Sequence, residues 1–241
     1  MIPRIVQTSV FRPQVLEAAA AARVANRAAS FERVLGGVSP TPVEPTGEAR
    51  RAGWSTSRSE VLDPWLRNPV KRALAGAIED ASRSAQVDPR LAVAVAVAES
   101  SLDPTAQSSD GLSEGTFQVT DATQAEIRRK LANGRLDRPA GDDDVALGVA
   151  YLDYLDQIFA ESTPLGRGLA TQPIADASER RRFAVAAFNA GEGRVASAQR
   201  RAAAAGGDPT SFEDVRPYLP SITRGYVDRV IRYSGGPSAT A

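Results

Sequence analysis

The segment Leu91–Ala98, LAVAVAVA, places eight apolar residues in a row between two Asp-Pro pairs, Asp88-Pro89 and Asp103-Pro104. Alternation of Ala and Val is compatible with a strand, and pattern alone does not separate a buried strand from a buried helix. The flanks favour the helix. Asp88 suits an N-cap with Pro89 at the first helical position, and alanine is the strongest helix former. A helix that is apolar all round has no face for water and must be enclosed by other elements. It must also end before Asp103, because the residue preceding a proline is pushed out of the helical region. With eight residues against the about 20 needed to span a bilayer, it is a core element and not a membrane span.

The enclosing elements read as helices too. Asn68-Pro69 opens one that runs to about Gln86. Others are expected from Asp121 to about Asn133, from Asp142–Asp144 through ALGVAYLDYLDQIF, and over Glu179–Phe188. Gly193–Ala205 and Ile222–Tyr233 complete the set. The expected fold class is all-α. Composition divides the chain into zones: an Ala/Arg-rich N-terminal extension over 1–35 with a loose amphipathic pattern, and a Pro/Gly-rich flexible linker over 36–66. A globular domain follows over 67–235, then a disordered tail, GPSATA, over 236–241. No secretory signal is visible, because Arg4, Arg12, Glu17, Arg23 and Arg27 interrupt the N-terminal apolar stretches.

Composition limits the chemistry. The 241 residues include no His and no Cys. That excludes a Ser-His-Asp triad, a thiol nucleophile, a disulfide and any His- or Cys-ligated metal. Lys+Arg and Asp+Glu both number 29, so bulk charge does not point to a nucleic-acid partner. Carboxylate, hydroxyl and amide chemistry remain. No cofactor or metal is expected; Asp142–Asp144 read as negative charge at a helix N-terminus.

Glu99 is the most informative position. It follows the apolar run directly and shares a helical face with Ala92, Val95 and Ala96. Apolar surroundings disfavour its anion, and so does the partial negative charge of a helix C-terminus. A carboxyl held protonated near neutral pH is what a general acid needs to cleave a glycosidic bond. Position alone leaves a second reading open, in which Glu99 is the first exposed residue as the helix leaves the core. The following loop, SSLDPTAQSSDGLSEGTFQVTDAT, is dense in small hydrogen-bonding residues and suits a groove for a hydroxyl-rich or amide-bearing ligand.

A series of short elements then appears in order: Glu99-Ser100, Ala106-Gln107-Ser108, Gly115-Thr116-Phe117-Gln118, Ala187-Phe188-Asn189-Ala190-Gly191, and Ile222-Thr223-Arg224-Gly225-Tyr226-Val227. This series resembles the lytic transglycosylases of the soluble-lytic type, which share a goose-lysozyme-like fold. The resemblance implies that Glu99 is the single catalytic acid. It implies that Ser108 lies near the acid and the sugar, that Gln118 binds glycan, and that the Tyr226 hydroxyl lies close to the catalytic carboxyl. Asn189 is a further candidate for ligand contact, although an Asn before Ala-Gly also suits a turn between helices. The sequence departs from the family pattern at Phe188 in place of Tyr, at Ile222 in place of Glu, and in a longer Gly111–Gly115 loop that holds Glu114.

What the resemblance implies for function is cleavage of the MurNAc–GlcNAc β-1,4 bond of peptidoglycan with a 1,6-anhydro-MurNAc product, in the periplasm or cell envelope. Its partner would be the glycan strand. Service to an envelope-spanning apparatus (a flagellum, pilus or secretion system) is a finer expectation, with the N-terminal extension as docking element. Two other readings stay open: a lysozyme-type hydrolase, and a non-catalytic module that binds peptidoglycan or acts as a scaffold.

Overall fold

The computed structural model describes residues 60–109, 111–133, 136, 144–166 and 168–235. The N-terminal extension, most of the linker, the tail, and Asp110, Asp142 and Asp143 lie outside the described residues. Nine α-helices are formed among those described. They are α1 (Asp63–Leu66), α2 (Pro69–Ser84), α3 (Pro89–Ser100), α4 (Asp121–Ala132) and α5 (Asp144–Ala160), then α6 (Ala177–Ala190), α7 (Glu192–Ala204), α8 (Phe212–Val215) and α9 (Ser221–Tyr233). Two antiparallel pairs of very short strands interrupt them: β1 (Ser113–Glu114) with β2 (Val119–Thr120), and β3 (Pro164–Gly166) with β4 (Leu169–Ala170). The all-α expectation holds.

The caps show why the helices begin where they do. Asn68 Oδ1 accepts from the amides of Val70 and Lys71, and Asp88 Oδ1 accepts from Arg90 N, each with proline at the next position. These bonds satisfy amides that have no partner within the helix. The α4 cap is Thr120, whose hydroxyl accepts from Thr123 N, so Asp121 is inside the helix as first-turn negative charge. Asp176 caps α6 by accepting from Glu179 N.

The apolar helix α3 is enclosed as its composition requires. Leu91 through Val97 are all buried. Helix α2 packs along one side of it and α9 along another, while α6 packs against α5, α7 and α9. The core therefore closes around α3, and Tyr226 from the middle of α9 reaches its last turn.

One boundary differs from the composition-based reading. Residues 60–66, placed in the linker, form a 3-10 turn (Glu60–Leu62) and α1. Leu62 and Leu66 are buried, and Trp65 packs edge-on against Tyr233 of α9 with ring centroids 5.3 Å apart. Pro and Gly upstream set the linker character; Leu62, Trp65 and Leu66 have a core to join.

Candidate active site

Helix α3 ends in an unusual way. Ser101 and Leu102 both adopt left-handed conformations, each with φ 58°. For residues with a side chain this costs on the order of 1–3 kcal/mol each and persists only where the surroundings enforce it. Here they do. Leu102 is 1% exposed. The ammonium of Lys71, from α2, donates to the Ser101 carbonyl at 2.8 Å, a cation at a helix C-terminus. Ser100 Oγ donates to Thr116 O at 2.8 Å and accepts from Asp103 N at 3.1 Å. The turn that follows Glu99 is thus fixed from the core, from α2 and from the β1–β2 ribbon.

The Gly115–Gln118 element has a physical reason at each position. Gly115 has φ +83°, and a Cβ there would lie 2.6 Å from the Asp144 carboxylate. That carboxylate accepts from Thr116 N at 2.6 Å. Phe117 is wholly buried against α5 at Gly148, where a Cβ would collide with its ring. Gln118, with φ 49°, turns its amide back and donates from Nε2 to Ala106 O at 2.9 Å and Gly115 O at 2.8 Å. Both amide hydrogens are engaged, so its carbonyl oxygen is the polar atom it can offer a ligand. Asp144, expected only as charge at a helix start, is the clamp between α5 and this ribbon.

Ser108 closes the ribbon: its Oγ lies 3.1 Å from Ser113 O and accepts from Ser113 N at 3.0 Å. Glu114 is part of β1, opposite Val119, and forms a bridge with Gln107; it is half-buried. Asp103 makes a turn with Thr105, accepting from both its amide and its hydroxyl.

Helices α6 and α9 are joined by the Thr223 hydroxyl, which donates to Asn189 Oδ1 at 2.8 Å. Thr223 is buried, whereas Asn189 is exposed in the last turn of α6, so its amide Nδ2 is carried on the solvent side. Asn189 does not make the interhelical turn; Gly191 does, ending α6 and beginning α7. Phe188 lies between two aromatic rings, 5.0 Å from Tyr151 and 6.4 Å from Phe117. Its ring completes this cluster without the hydroxyl that the family pattern has. Ile222, in the first turn of α9, is 76% exposed, so no carboxylate stands at that position.

The central feature is a single bond. The Tyr226 hydroxyl donates to Glu99 Oε1 at 2.6 Å. Tyr226 is 3% exposed, and Glu99 is half-buried in the last turn of α3. Burial raises the Glu99 pKa to about 7, against the opposing effects of the Tyr226 hydrogen bond and the charge of Arg229. Burial, and then the Glu99 carboxylate itself, push the Tyr226 phenol well above its ordinary range, so it stays a donor. With Oε1 accepting from Tyr226, the carboxyl proton is directed to Oε2. A carboxyl that titrates near neutrality can give a proton and take one back in the same cycle.

The structure therefore brings Glu99 and Tyr226 into contact, and it ties Ser108 and Gln118 into the ribbon and Asn189 to α9. Three residues have roles that the sequence did not reveal. Lys71 and Ser100 brace the turn after Glu99. Arg229, one helical turn beyond Tyr226, places its guanidinium carbon 5.6 Å from the centre of the tyrosine ring. The spacing of three in a helix was the available signal for Arg229.

Comparison with known proteins adds a family. The model described as "Transglycosylase SLT domain" matches residues 76–210. The chain is 32% identical over 164 residues to the membrane-bound lytic murein transglycosylase F of Desulfosudis oleivorans, covering 67% of this chain and 32% of that protein. It is 29% identical over 188 residues to the protein of the same name from Thiobacillus denitrificans, covering 78% and 35% respectively. The chain thus spans about a third of the length of these relatives. A structural similarity is found to the 70 kDa soluble lytic transglycosylase of Escherichia coli, with a TM-score of 0.49 and 22% identity, covering 66% of this chain and 23% of that one. With more than half of its residues matched by the family model, the chain belongs to the transglycosylase SLT domain family.

Proposed function

We propose that this protein is a peptidoglycan lytic transglycosylase that cleaves the MurNAc–GlcNAc β-1,4 bond and leaves a 1,6-anhydro-MurNAc end. The observation that carries the reading is the Tyr226–Glu99 bond at the end of the buried helix, on a carboxyl raised by burial to about 7. Family membership and the relatives named as lytic murein transglycosylases support it.

In this reading Glu99 Oε2 gives its proton to the leaving O4 as the C1–O4 bond breaks. The substrate's own N-acetyl group stabilises the positive charge that develops at C1. The Glu99 carboxylate then takes the proton from the sugar's 6-hydroxyl while O6 bonds to C1. The ring closes, Glu99 regains its proton, and no water is consumed. The groups that shift Glu99 are Tyr226 and Arg229, neither of them a carboxylate.

Gln118 through its carbonyl oxygen and Asn189 through its amide are the proposed glycan contacts, with Ser108 holding the ribbon beside them. No helix among the described residues is long and apolar enough to cross a membrane. Action in the periplasm or cell envelope follows from the substrate class. Service to a flagellum, pilus or secretion system is proposed for the N-terminal zone. Removal of residues 1–58 should then leave cleavage of purified sacculi intact while abolishing the cellular role.

Mass spectrometry of muropeptides released from purified sacculi tests the activity. Anhydro ends from the wild type and none from Glu99→Gln support the reading. Reducing ends would mark a lysozyme-type hydrolase. Retention on sacculi without any product would mark a binding module.

A further inference from the structure

The proposed cycle leaves Glu99 as an anion midway, in a half-buried site at a helix C-terminus. Both features disfavour negative charge, so the anion needs a compensating cation that does not compete for the reacting proton. Helix α9 carries one. Arg229 is three residues after Tyr226, and the two side chains share a helix face. Its guanidinium lies over the tyrosine ring at 5.6 Å. The hydroxyl at the other end of that ring holds Glu99.

Charged groups on the elements next to α3 and on α9 make contacts elsewhere. Lys71, from α2, donates to the Ser101 carbonyl at the end of α3. The backbone of Glu114 in the ribbon pairs within β1–β2 and bridges to Gln107. On α9 itself, Asp228 is bound by Arg216 at 2.6 Å, and Arg232 lies over Tyr233.

We propose that Arg229 is a positioning residue for the Glu99 proton: packed on the face of Tyr226, it holds the phenol against Glu99 and stabilises the carboxylate formed when Glu99 has given its proton to the leaving oxygen. Arg229 makes no contact with the reacting bond in this account. It acts in two ways, as a cation on the ring face, which makes the phenol a better donor, and as a charge that favours the Glu99 anion. The direction agrees with the electrostatics, since Arg229 lowers the pKa of both Glu99 and Tyr226 against the rise caused by burial. Without it Glu99 would be a weaker acid at the first step.

The inference rests on the reading of Glu99 as the acid, and the test separates the two. The pH profile of kcat/KM on purified glycan strands is measured for wild type, Arg229→Met and Arg229→Lys. The alkaline limb reports loss of the Glu99 proton in the free enzyme. With Arg229→Met that limb moves to higher pH by roughly 0.5–1 unit, less than for a fully buried pair, and kcat falls. Arg229→Lys restores most of the limb position. A purely structural role would lower activity or thermal stability without moving the limb, and that result would overturn the proposal.

A second measurement does not depend on turnover. The stability difference between Glu99 and Glu99→Gln grows from pH 4.5, where the unfolded chain loses the proton, and levels off where folded Glu99 titrates. In the Arg229→Met background the onset stays and the levelling-off point moves upward; an unchanged levelling-off point would also overturn the proposal. If Glu99→Gln keeps wild-type activity, the assignment of the acid fails instead, whatever the Arg229 variants do.

Discussion

Tyr226 Oη and Glu99 Oε1 lie 2.6 Å apart although 127 residues separate them in sequence. The bond ties α9 to the end of the buried helix α3, so the last described helix sets the state of a carboxyl carried by the third. Five consequences can be measured.

Glu99→Gln should remove cleavage of sacculi to below a hundredth of wild type, because the amide has no proton to give to the leaving oxygen. The fold should persist, since the amide oxygen can still accept from Tyr226. Far-ultraviolet circular dichroism and release of soluble fragments check the two halves together. Activity at a tenth of wild type or more would assign the acid elsewhere.

The same variant carries a pH signature in stability. Folded Glu99 titrates at about 7, against an ordinary value of 4.5. Between those values the folded protein holds a proton that the unfolded chain has lost. Stability therefore falls as pH rises from 4.5 to 7, by up to about 3 kcal/mol at 1.36 kcal/mol per unit. Glu99→Gln escapes this loss. Its Tm should exceed that of wild type at pH 8 and approach it at pH 4.5–5; an equal difference at both would contradict the raised titration.

Tyr226→Phe removes one neutral donor next to the site of charge development. A well-aligned donor whose bond strengthens in the transition state is worth on the order of 10²–10³ in rate. The loss should appear in kcat with little change in KM or in retention on sacculi. A change confined to KM would assign Tyr226 to ground-state binding.

Gly115→Ala should destabilise the domain by about 2 kcal/mol or more. An alanine at positive φ costs about 1–2 kcal/mol, and its Cβ would meet the Asp144 carboxylate that holds Thr116. Gly76→Ala is the control. It lies within α2 with nothing within 4 Å of the added methyl, and should gain about 0.5–1 kcal/mol. Urea denaturation of the two variants reads opposite signs of midpoint change.

Ser100→Ala should loosen the turn that follows Glu99, because its hydroxyl bonds both Thr116 O and Asp103 N. The expected cost is about 1–3 kcal/mol for partners left unmade. Faster amide hydrogen exchange at Asp103 and at the ribbon residues near Thr116 checks it.

The parts of this site that could be read from the sequence are those governed by local rules. Asn68 and Asp88 sit before prolines and cap helices. LAVAVAVA must be buried, which places Glu99 at the edge of a core. Asn189-Ala190-Gly191 marks the end of a helix, although Gly191 and not Asn189 makes the turn. Tertiary contacts decided the rest. Strands two residues long have no period to detect, so the β1–β2 ribbon was legible only as a polar loop. Residues 60–66 follow a Pro/Gly-rich stretch, and their helical state depends on the core that receives Leu62 and Leu66. Nothing local singles out Arg229, since no neighbouring residue shows that Tyr226, one turn before it, reaches Glu99. The inward turn of Gln118 depends on two distant carbonyls, Ala106 and Gly115.

The central claim is that one carboxyl serves as acid and then as base without using water. Digestion of purified glycan strands in ¹⁸O-labelled water, followed by mass spectrometry of the new sugar ends, tests it most directly. The account predicts anhydro ends that carry no label. Labelled reducing ends at MurNAc would show that water attacks C1 and would contradict it.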